Sequence, residues 1–217
     1  MERRLISVIV PAYNEEDCVE ELARRLAAVF DANPSYDFEA IIIENGSEDR
    51  TWDLLQEVNS RDPRFKVVQL ARNFRMDGGI TAGLDYASGD AAVIMTADLQ
   101  DPPELITEFI TKWEEGYENV YMVVTKRTDA GWIRSFNSRA FYWLAGKLTD
   151  NRIPSNASDF RLVDRKVYET VRQLDERNRF VRGLFAWVGF RSTGIEHERP
   201  ERFGGTSKAH SFKVIDL

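Results

Sequence analysis

The hydrophobic residues of this 217-residue chain occur in two patterns that alternate along its length. Short apolar runs that end abruptly in polar loops are typical of buried strands, and amphipathic segments between them are typical of covering helices. The predicted strands are 5–10, 38–43, 65–70, 91–95, 119–124, 160–163 and 189–196, and the predicted helices are 15–32, 49–60, 77–87, 102–116, 131–149 and 164–174. This alternation predicts a single α/β domain with a mainly parallel sheet flanked by helices.

The segment 91–104 carries the strongest chemical signal. An apolar run ends in Thr96-Ala97-Asp98-Leu99-Gln100-Asp101, and Pro102-Pro103 then begins a helix. Asp98 and Gln100 place two oxygen-bearing side chains just beyond the carboxyl end of a strand, where open α/β sheets bind ligands. Such oxygen donors suit Mg²⁺ or Mn²⁺, whose coordination is completed by substrate phosphates. An acidic surface turn before a capped helix is the alternative.

Charge divides the chain into two parts. Residues 1–125 contain 25 acidic and 11 basic side chains, whereas residues 126–217 contain 11 acidic and 18 basic ones. A basic second part suits an enzyme that handles a phosphate at an anionic membrane surface, although chance segregation of solvated charge is also common. The basic residues are dispersed and form no recognised nucleic-acid motif, which argues against a nucleic-acid partner.

Composition limits the cellular setting. The single cysteine, Cys18, excludes an intrachain disulfide and fits a reducing compartment. The sequence shows neither a signal-peptide pattern nor an apolar stretch long enough to span a bilayer.

Polar motifs follow the predicted strands in a fixed order. They are Pro11-Ala12-Tyr13-Asn14-Glu15-Glu16, Glu44-Asn45-Gly46-Ser47-Glu48-Asp49, Ala71-Arg72-Asn73-Phe74, the acidic loop, and Ala157-Ser158-Asp159-Phe160-Arg161-Leu162. From about residue 6 to 208 this ordered set resembles the inverting family 2 glycosyltransferases, and more narrowly the polyprenyl-phosphate sugar transferases such as dolichol-phosphate mannose synthase and its bacterial glucosyl relatives. The resemblance implies a GT-A (Rossmann-like) catalytic domain over 1–208. Its nucleotide-sugar half would cover about 1–125 and its acceptor half about 126–208, with a juxtamembrane segment beginning at 209–217.

The resemblance also implies a donor site for a nucleotide-diphosphate sugar. Tyr13 would offer a ring on which a base stacks, and Glu15 would accept from the ribose or the base. The implied donor-binding residues are Pro11, Ala12, Tyr13, Glu15, Asn45, Ser47, Arg72, Asp77, Ala97 and Asp98, with Asp98 and Gln100 as metal ligands.

Two motifs depart from the family pattern. Glu44-Asn45 stands where the family usually has two aspartates, and Thr96 replaces the first aspartate of the acidic loop. One carboxylate fewer weakens the attraction to a dication, so metal affinity without donor is expected to be weak. Structural alternatives remain for this half: Asn14 or Glu15 as a helix cap, Asn45 in an Asx turn, and Asp77 as a helix N-cap.

Asp159 is the expected catalytic carboxylate, because the resemblance places the family's base-like group there. A phosphate monoester has a second pKa of about 6, so a lipid phosphate needs little deprotonation. Asp159 would therefore orient the acceptor or stabilise positive charge at the anomeric carbon. A turn residue paired with Arg161 is the alternative.

Arginine recurs through the second half, and its fork matches phosphate oxygens. Arg134 and Arg199 belong to this set but receive no assigned role. The segment 178–187 interleaves aromatic residues with arginines and is either a membrane-interface element or a core helix with two surface arginines. The expected acceptor-binding residues are Arg127, Arg139, Arg161, Arg179, Arg182, Arg202 and Lys208.

Together these features predict inverting, metal-dependent transfer of a hexose from a UDP- or GDP-linked sugar to undecaprenyl or dolichyl phosphate. The reaction is expected at the cytoplasmic face of the membrane, with the enzyme peripheral or anchored by segments beyond Leu217. Alternatives are a glycosyltransferase with a soluble glycan or other hydroxyl acceptor, for which Asp159 must be a true base, and a non-catalytic nucleotide-sugar binding module. Homo-oligomerisation is left open.

Overall fold

The computed structural model describes residues 3–125, 156–176, 179–200 and 203. Within these residues seven strands form one sheet and six helices flank it. The strands are β1 Arg4–Ala12, β2 Tyr36–Glu44, β3 Phe65–Gln69, β4 Ala91–Ile94, β5 Asn119–Val124, β6 Ala157–Asp164 and β7 Ser192–His197. The helices are α1 Val19–Ala32, α2 Thr51–Arg61, α3 Arg75–Tyr86, α4 Ile106–Glu114, α5 Arg165–Arg172 and α6 Val181–Trp187.

The strand order is β3-β2-β1-β4-β6-β5-β7. Parallel pairs join β1 to β2 and β4, β2 to β3, and β5 to β7, whereas β6 runs antiparallel to both β4 and β5. The predicted mainly parallel α/β sheet is therefore confirmed. Because β6 is reversed, its first residues lie beside the carboxyl end of β4, with Arg161 opposite Ile94.

Both faces of the sheet are covered, which explains why the central strands are continuous apolar runs. One face packs against α1, α2 and α4 through residues such as Leu26, Leu55 and Phe109. The other face packs against α3, α5 and α6, where Leu84 and Phe185 are buried.

Two glycines allow α3 to lie directly on β1. A Cβ atom at Gly83 would sit 2.2 Å from Ile9 Cγ2, and one at Gly79 would sit 2.8 Å from Pro11 Cβ. A larger side chain at either position would push the helix off the strand. The first turn of α3 is thereby fixed close to the end of β1.

Several element boundaries differ from the predicted ones. Helix α1 begins at Val19, whereas the prediction began at residue 15. Helix α4 begins at Ile106, after a 3₁₀ turn at Pro103–Leu105, whereas the prediction began at residue 102. The predicted helix 131–149 lies outside the described residues. In the part of the chain that is described, no helix is long and apolar enough to cross a membrane.

Candidate active site

The acidic loop after β4 is organised by Thr96. The Thr96 hydroxyl lies 2.7 Å from Asp98 Oδ1 and 2.8 Å from Asp101 Oδ2. The backbone N–H of Gln100 also donates to Asp98 Oδ1, at 3.2 Å, and Leu99 adopts a left-handed φ of 59° to make this turn. The residue that replaces the family's first aspartate thus orients the two carboxylates that remain.

Asp101 ties this loop to distant parts of the chain. Its side chain is fully buried and accepts from the Thr96 backbone N–H at 3.0 Å and from Arg199 Nη2 at 3.3 Å. Burial raises the pKa of the Asp101 carboxyl, and the Arg199 charge and the Thr96 hydrogen bonds oppose that rise. Arg199 Nε is buried, and no described residue accepts a hydrogen bond from it. Sequence reasoning missed this pair, since no local pattern joins residues so far apart.

Asp159 lies in β6 and forms a two-pronged ion pair with Arg182 of α6. Arg182 Nε donates to Asp159 Oδ1 at 2.7 Å, and its Nη2 donates to Oδ2. Burial alone would raise the pKa of Asp159, but the Arg182 hydrogen bonds and charge lower it below its ordinary value, with Arg161 and Arg199 adding to the effect. The carboxylate is therefore held in its charged form.

Arg161 acts on this carboxylate through its charge and donates its Nε–H to the Asp159 backbone carbonyl at 3.3 Å. Its Nη2 donates to the Ser158 carbonyl at 3.0 Å, and its guanidinium lies 5.2 Å from the Phe185 ring. Burial lowers the pKa of Arg161 to about 10, so it remains a cation at neutral pH. The alternative of a turn in which Asp159 pairs with Arg161 is wrong, because the carboxylate of Asp159 pairs with Arg182.

The loops after β1 and β2 are bound to each other by hydrogen bonds in which backbone N–H groups donate to side chains. The Asn14 N–H donates to Ser47 Oγ at 2.9 Å, and the Asn14 side chain accepts from the Glu48 N–H at 2.8 Å. The Glu15 N–H donates to Thr51 Oγ1 at 2.8 Å. Neither Asn14 nor Glu15 caps α1, whose capping residue is Cys18, so that alternative is wrong.

Asn45 is buried and holds the turn that leads into α3. Its Oδ1 accepts from the Phe74 N–H at 2.9 Å, and its Nδ2 donates to the Arg75 carbonyl at 3.0 Å. Gly46, at a φ of 75°, lets this turn approach, because a Cβ there would lie 2.7 Å from the Arg72 carbonyl carbon. The structure thus gives Asn45 a structural role, and its contact with a base stays a prediction.

Asp77 does not cap its own helix, since α3 begins at Arg75 with Phe74 as the capping residue. Its Oδ1 instead accepts from the backbone N–H of Val181, the first residue of α6, at 3.0 Å. The N-cap alternative is therefore wrong, and a role of Asp77 in binding the donor stays a prediction.

The structure brings only some of the expected acceptor-binding arginines to Asp159. Arg161 and Arg182 lie there, and Arg199 joins them without having been assigned. Arg179 donates to the Arg172 and Leu174 carbonyls at the end of α5, at 3.2 and 2.7 Å. Four expected residues lie outside the described part of the chain: Arg127, Arg139, Arg202 and Lys208.

The segment 178–187 contains a helix with two different faces. Val181 and Phe185 of α6 are buried, whereas Phe180 and Trp187 are exposed, at 42% and 57%. The alternative of a core helix with two surface arginines holds only in part: Leu184 is partly buried, but Phe180 is exposed and Arg182 pairs with Asp159. Docking of the exposed aromatic residues at a membrane stays a prediction.

The acidic loop offers few ligands for a metal ion. Among the described residues, no three His, Cys, Asp or Glu side chains form a group that could hold one. Asp98 and Gln100 supply one carboxylate and one amide oxygen. This donor set fits a hard divalent cation that is bound largely by substrate phosphates.

Residues 7–172 match the family model described as glycosyl transferase family 2. The chain belongs to glycosyl transferase family 2. The ordered motifs predicted this family, and the α/β sheet agrees with it.

Curated relatives of this family 2 member are longer than the chain. It is 46% identical, over 97% of its length, to the uncharacterized glycosyltransferase YkcC of Bacillus subtilis (strain 168), of which it spans 65%. It is 36% identical, over 98% of its length, to the bactoprenol glucosyl transferase of Shigella phage SfV, of which it spans 69%.

Solved structures share the GT-A fold with this family 2 glycosyltransferase. The mannosyltransferase PcManGT from Pyrobaculum calidifontis, in complex with GDP-Man and Mn²⁺, matches with a TM-score of 0.61 at 18% identity over 94% of this chain and 59% of that one. Glucosyl-3-phosphoglycerate synthase from Mycobacterium tuberculosis, in complex with Mn²⁺, UDP-Glc and phosphoglyceric acid, matches with a TM-score of 0.60 at 19% identity over 91% and 73%.

Proposed function

We propose that this glycosyltransferase moves a hexose from a UDP- or GDP-linked sugar to a polyprenyl phosphate, with inversion, at the cytoplasmic face of the membrane. Relatives named bactoprenol glucosyl transferase, at 36% identity over 98% of the chain, support a lipid-phosphate acceptor. The chain's own chemistry around Asp159 supports the same acceptor independently.

The observation that carries the proposal is the ion pair between Asp159 and Arg182. A general base works best when its pKa lies near the operating pH, and Arg182 moves the pKa of Asp159 in the opposite direction. A sugar hydroxyl must lose its proton to such a base, whereas a phosphate monoester with a second pKa of about 6 is largely ionised already. An acceptor phosphate therefore fits a carboxylate that is built to stay charged.

The surroundings of Asp159 also suit a dianionic acceptor. Arg161, Arg182 and Arg199 all act on the Asp159 carboxylate, so three guanidinium groups are gathered at this point of the sheet edge. One guanidinium group can donate two parallel hydrogen bonds to the oxygens of a phosphate. Asp159 itself would then orient the phosphate or stabilise the positive charge that develops at the anomeric carbon.

The donor would be bound on the other side of the acidic loop. Asp98 and Gln100 would hold Mg²⁺ or Mn²⁺, which when bound supplies Lewis-acid stabilisation for the departing diphosphate. Thr96 keeps the Asp98 carboxylate oriented for this task. The remaining donor-binding residues in the proposal are Pro11, Ala12, Tyr13, Glu15, Asn45, Ser47, Arg72 and Ala97, whereas the Asp77 carboxylate is engaged by the Val181 N–H.

The test is release of nucleoside diphosphate from UDP- and GDP-hexoses with Mn²⁺ or Mg²⁺, with and without a short polyprenyl phosphate in detergent. The proposal predicts lipid-dependent release that Asp159→Asn abolishes and that Asp85→Asn, at an exposed carboxylate of α3, leaves intact. An anomeric NMR signal of opposite configuration in the product would establish inversion. Release driven by a glycan hydroxyl, or donor binding without release, would overturn the proposal.

A pH profile distinguishes the two acceptor classes. With a phosphate acceptor, we expect kcat/KM to fall as the pH drops through about 6, because the acceptor becomes a monoanion. The pH at which kcat/KM has fallen by half should be the same for a phosphonate acceptor of equal pKa. For acceptor analogues with another pKa, this midpoint should shift with the pKa of the analogue. A midpoint that is independent of the acceptor's pKa would contradict this prediction.

A further inference from the structure

We infer that Asp77 is a positioning residue: its hydrogen bond to the start of α6 holds Arg182 in its two-pronged pair with Asp159. This inference relies on the proposed function only for the statement that Asp159 is catalytic. The contacts that carry it are independent of any substrate.

The first contact joins α3 to α6. Asp77 Oδ1 accepts from the Val181 N–H at 3.0 Å, and Val181 directly precedes Arg182. Phe180, the capping residue of α6, has an apolar side chain that cannot accept this hydrogen bond. Asp77 therefore supplies from another helix an acceptor for one of the first N–H groups of α6, which have no partner within the helix.

The two helices differ in how firmly they are held. Gly79 and Gly83 place α3 in direct contact with Pro11 and Ile9 of β1, so Asp77 stands on a helix that is fixed to the sheet. The helix α6 has seven residues, and helices this short are marginal without tertiary contacts. The orientation of α6 thus depends on tertiary anchors, which are the buried Val181 and Phe185 together with the hydrogen bond to Asp77.

Arg182 needs that orientation because both of its hydrogen bonds to Asp159 depend on the plane of the guanidinium. Nε and Nη2 donate to separate carboxylate oxygens, a geometry that a small rotation of the helix would break. Ile80 of α3 and Val181 of α6 also line one small recess with Asp159 and Arg182. The chain of contacts therefore runs from β1 through α3 and α6 to the catalytic carboxylate.

Positioning and direct electrostatics predict opposite changes at Asp159. The charged groups that face its carboxylate are Arg182 from α6, Arg161 from β6, Arg199 from the segment after β7, and Asp77 from α3. Removing the negative charge of Asp77 would by itself lower the pKa of Asp159. Loosening Arg182 would raise it, because burial then dominates.

The experiment measures the carboxyl pKa of Asp159 by ¹³C NMR in the full 217-residue chain, with the signal assigned by its loss in Asp159→Asn. We expect Asp77→Glu to raise this pKa, since it displaces the acceptor while keeping the charge. Asp77→Ala and Asp77→Asn both remove the charge but only Asn keeps an acceptor, so the pKa should be higher in Asp77→Ala than in Asp77→Asn. Asp77→Asn retains an acceptor oxygen and should leave the pKa unchanged or lower it. Asp85→Asn is the control on the same helix.

Activity provides the second readout. We expect Asp77→Ala and Asp77→Glu to lower kcat about tenfold with little change in donor KM, and Asp77→Asn to recover most of the loss. Folded Asp77→Glu protein in which the pKa of Asp159 stays unchanged or falls would overturn the inference, as would equal pKa values in folded Asp77→Ala and Asp77→Asn. If Asp77→Ala does not fold, Asp77→Glu gives the same decision.

The NMR result does not depend on turnover. If the wild-type chain transfers no sugar to a polyprenyl phosphate, the proposed function fails while the positioning of Arg182 is still decided by the titration. If the wild-type chain transfers sugar to another acceptor and Asp77→Glu still raises the pKa of Asp159, the positioning role of Asp77 stands and only the proposed acceptor changes.

Discussion

The donor and acceptor halves hold their polar groups at the edge of the sheet by different means. In the donor half, the loops after β1 and β2 are joined through backbone N–H groups, which donate to the side chains of Ser47 and Asn14 and also to the carboxylates of Asp49 and Glu16. At the reversed strand β6, by contrast, two charged side chains pair directly, Asp159 with Arg182. The first arrangement fixes the shape of a loop, whereas the second also fixes the protonation state of a carboxylate.

This difference matches the chemistry proposed for each half. A donor site needs a preformed surface for a base and a ribose, and hydrogen bonds from backbone N–H groups can fix such a surface at modest cost. An acceptor phosphate needs positive charge and a carboxylate that stays ionised, which requires nearby cationic side chains. Breaking single contacts should therefore affect the two halves differently.

The largest expected effect comes from Asp159→Asn. The amide keeps the size of the side chain but removes the charge that pairs with Arg182, so we expect kcat to fall about 10³-fold while the affinity for the donor stays within a few-fold. Lipid-dependent release of nucleoside diphosphate and calorimetric binding of the donor measure the two quantities. A parallel loss of donor affinity would show that the halves are not separable.

Arg199→Met should have the next largest effect, because it leaves Asp101 buried without its cation. We expect the free energy of unfolding to fall by about 2 kcal/mol near neutral pH, at the low end for a broken ion pair since Arg199 is 30% exposed. The pKa of Asp101 is already raised in the folded state, so stability falls as the pH rises through the window between its unfolded and folded values.

The loss in Arg199→Met should consequently shrink at low pH, where Asp101 is protonated in both states. Urea unfolding at several pH values measures this trend. The double variant Arg199→Met with Asp101→Asn is the control, and it should recover part of the stability. A loss of equal size at low and neutral pH would contradict the prediction.

Asn45→Ala tests hydrogen bonds between an uncharged side chain and the backbone. Two hydrogen bonds to the turn at Phe74 and Arg75 are lost, so we expect a fall of about 1–2 kcal/mol in the free energy of unfolding. High salt should change this loss little, because no ion pair is involved. Asn45→Asp, which retains the acceptor but not the donor, should show an intermediate loss.

Of these substitutions, Thr96→Asp is expected to have the smallest effect, and it should change the melting temperature and the affinity for Mn²⁺. The new carboxylate lies beside Asp98 and Asp101, so repulsion should lower the melting temperature of the free protein. Mn²⁺ affinity with nucleotide present should rise about tenfold, since a second carboxylate is available. Thermal shift and calorimetry measure both effects, and Thr96→Asn is the uncharged control that should show neither.

The sequence predicted the elements that depend on local pattern. The apolar run before Thr96 and the paired prolines after it correctly indicated a strand, a loop and a helix. The family motifs also predicted that Asp159 is the catalytic carboxylate, and that role stays a prediction. The start of α1 was placed too early, because residues 15–18 form a turn in which the Cys18 N–H donates to the Glu15 carbonyl.

Contacts between distant residues could not be predicted in this way. The pairs Asp159–Arg182 and Asp101–Arg199 each join two different elements, and their partners are ordinary arginines in the sequence. The hydrogen bond from Val181 to Asp77 spans 104 positions and involves a backbone N–H, which leaves no sequence signal at all. Tertiary packing alone decides such contacts.

The reversal of β6 has a consequence for how this fold can diversify. Val124 at the end of β5 donates its N–H to the Asn156 carbonyl at 3.1 Å, so the chain leaves the sheet and returns to it at nearly the same point, three residues before Asp159. Because the two ends of this connection meet at one point, a change in its length does not require β5 and β6 to move apart. Insertions and deletions between those two residues can therefore arise while the strands, and the donor half with them, remain as they are.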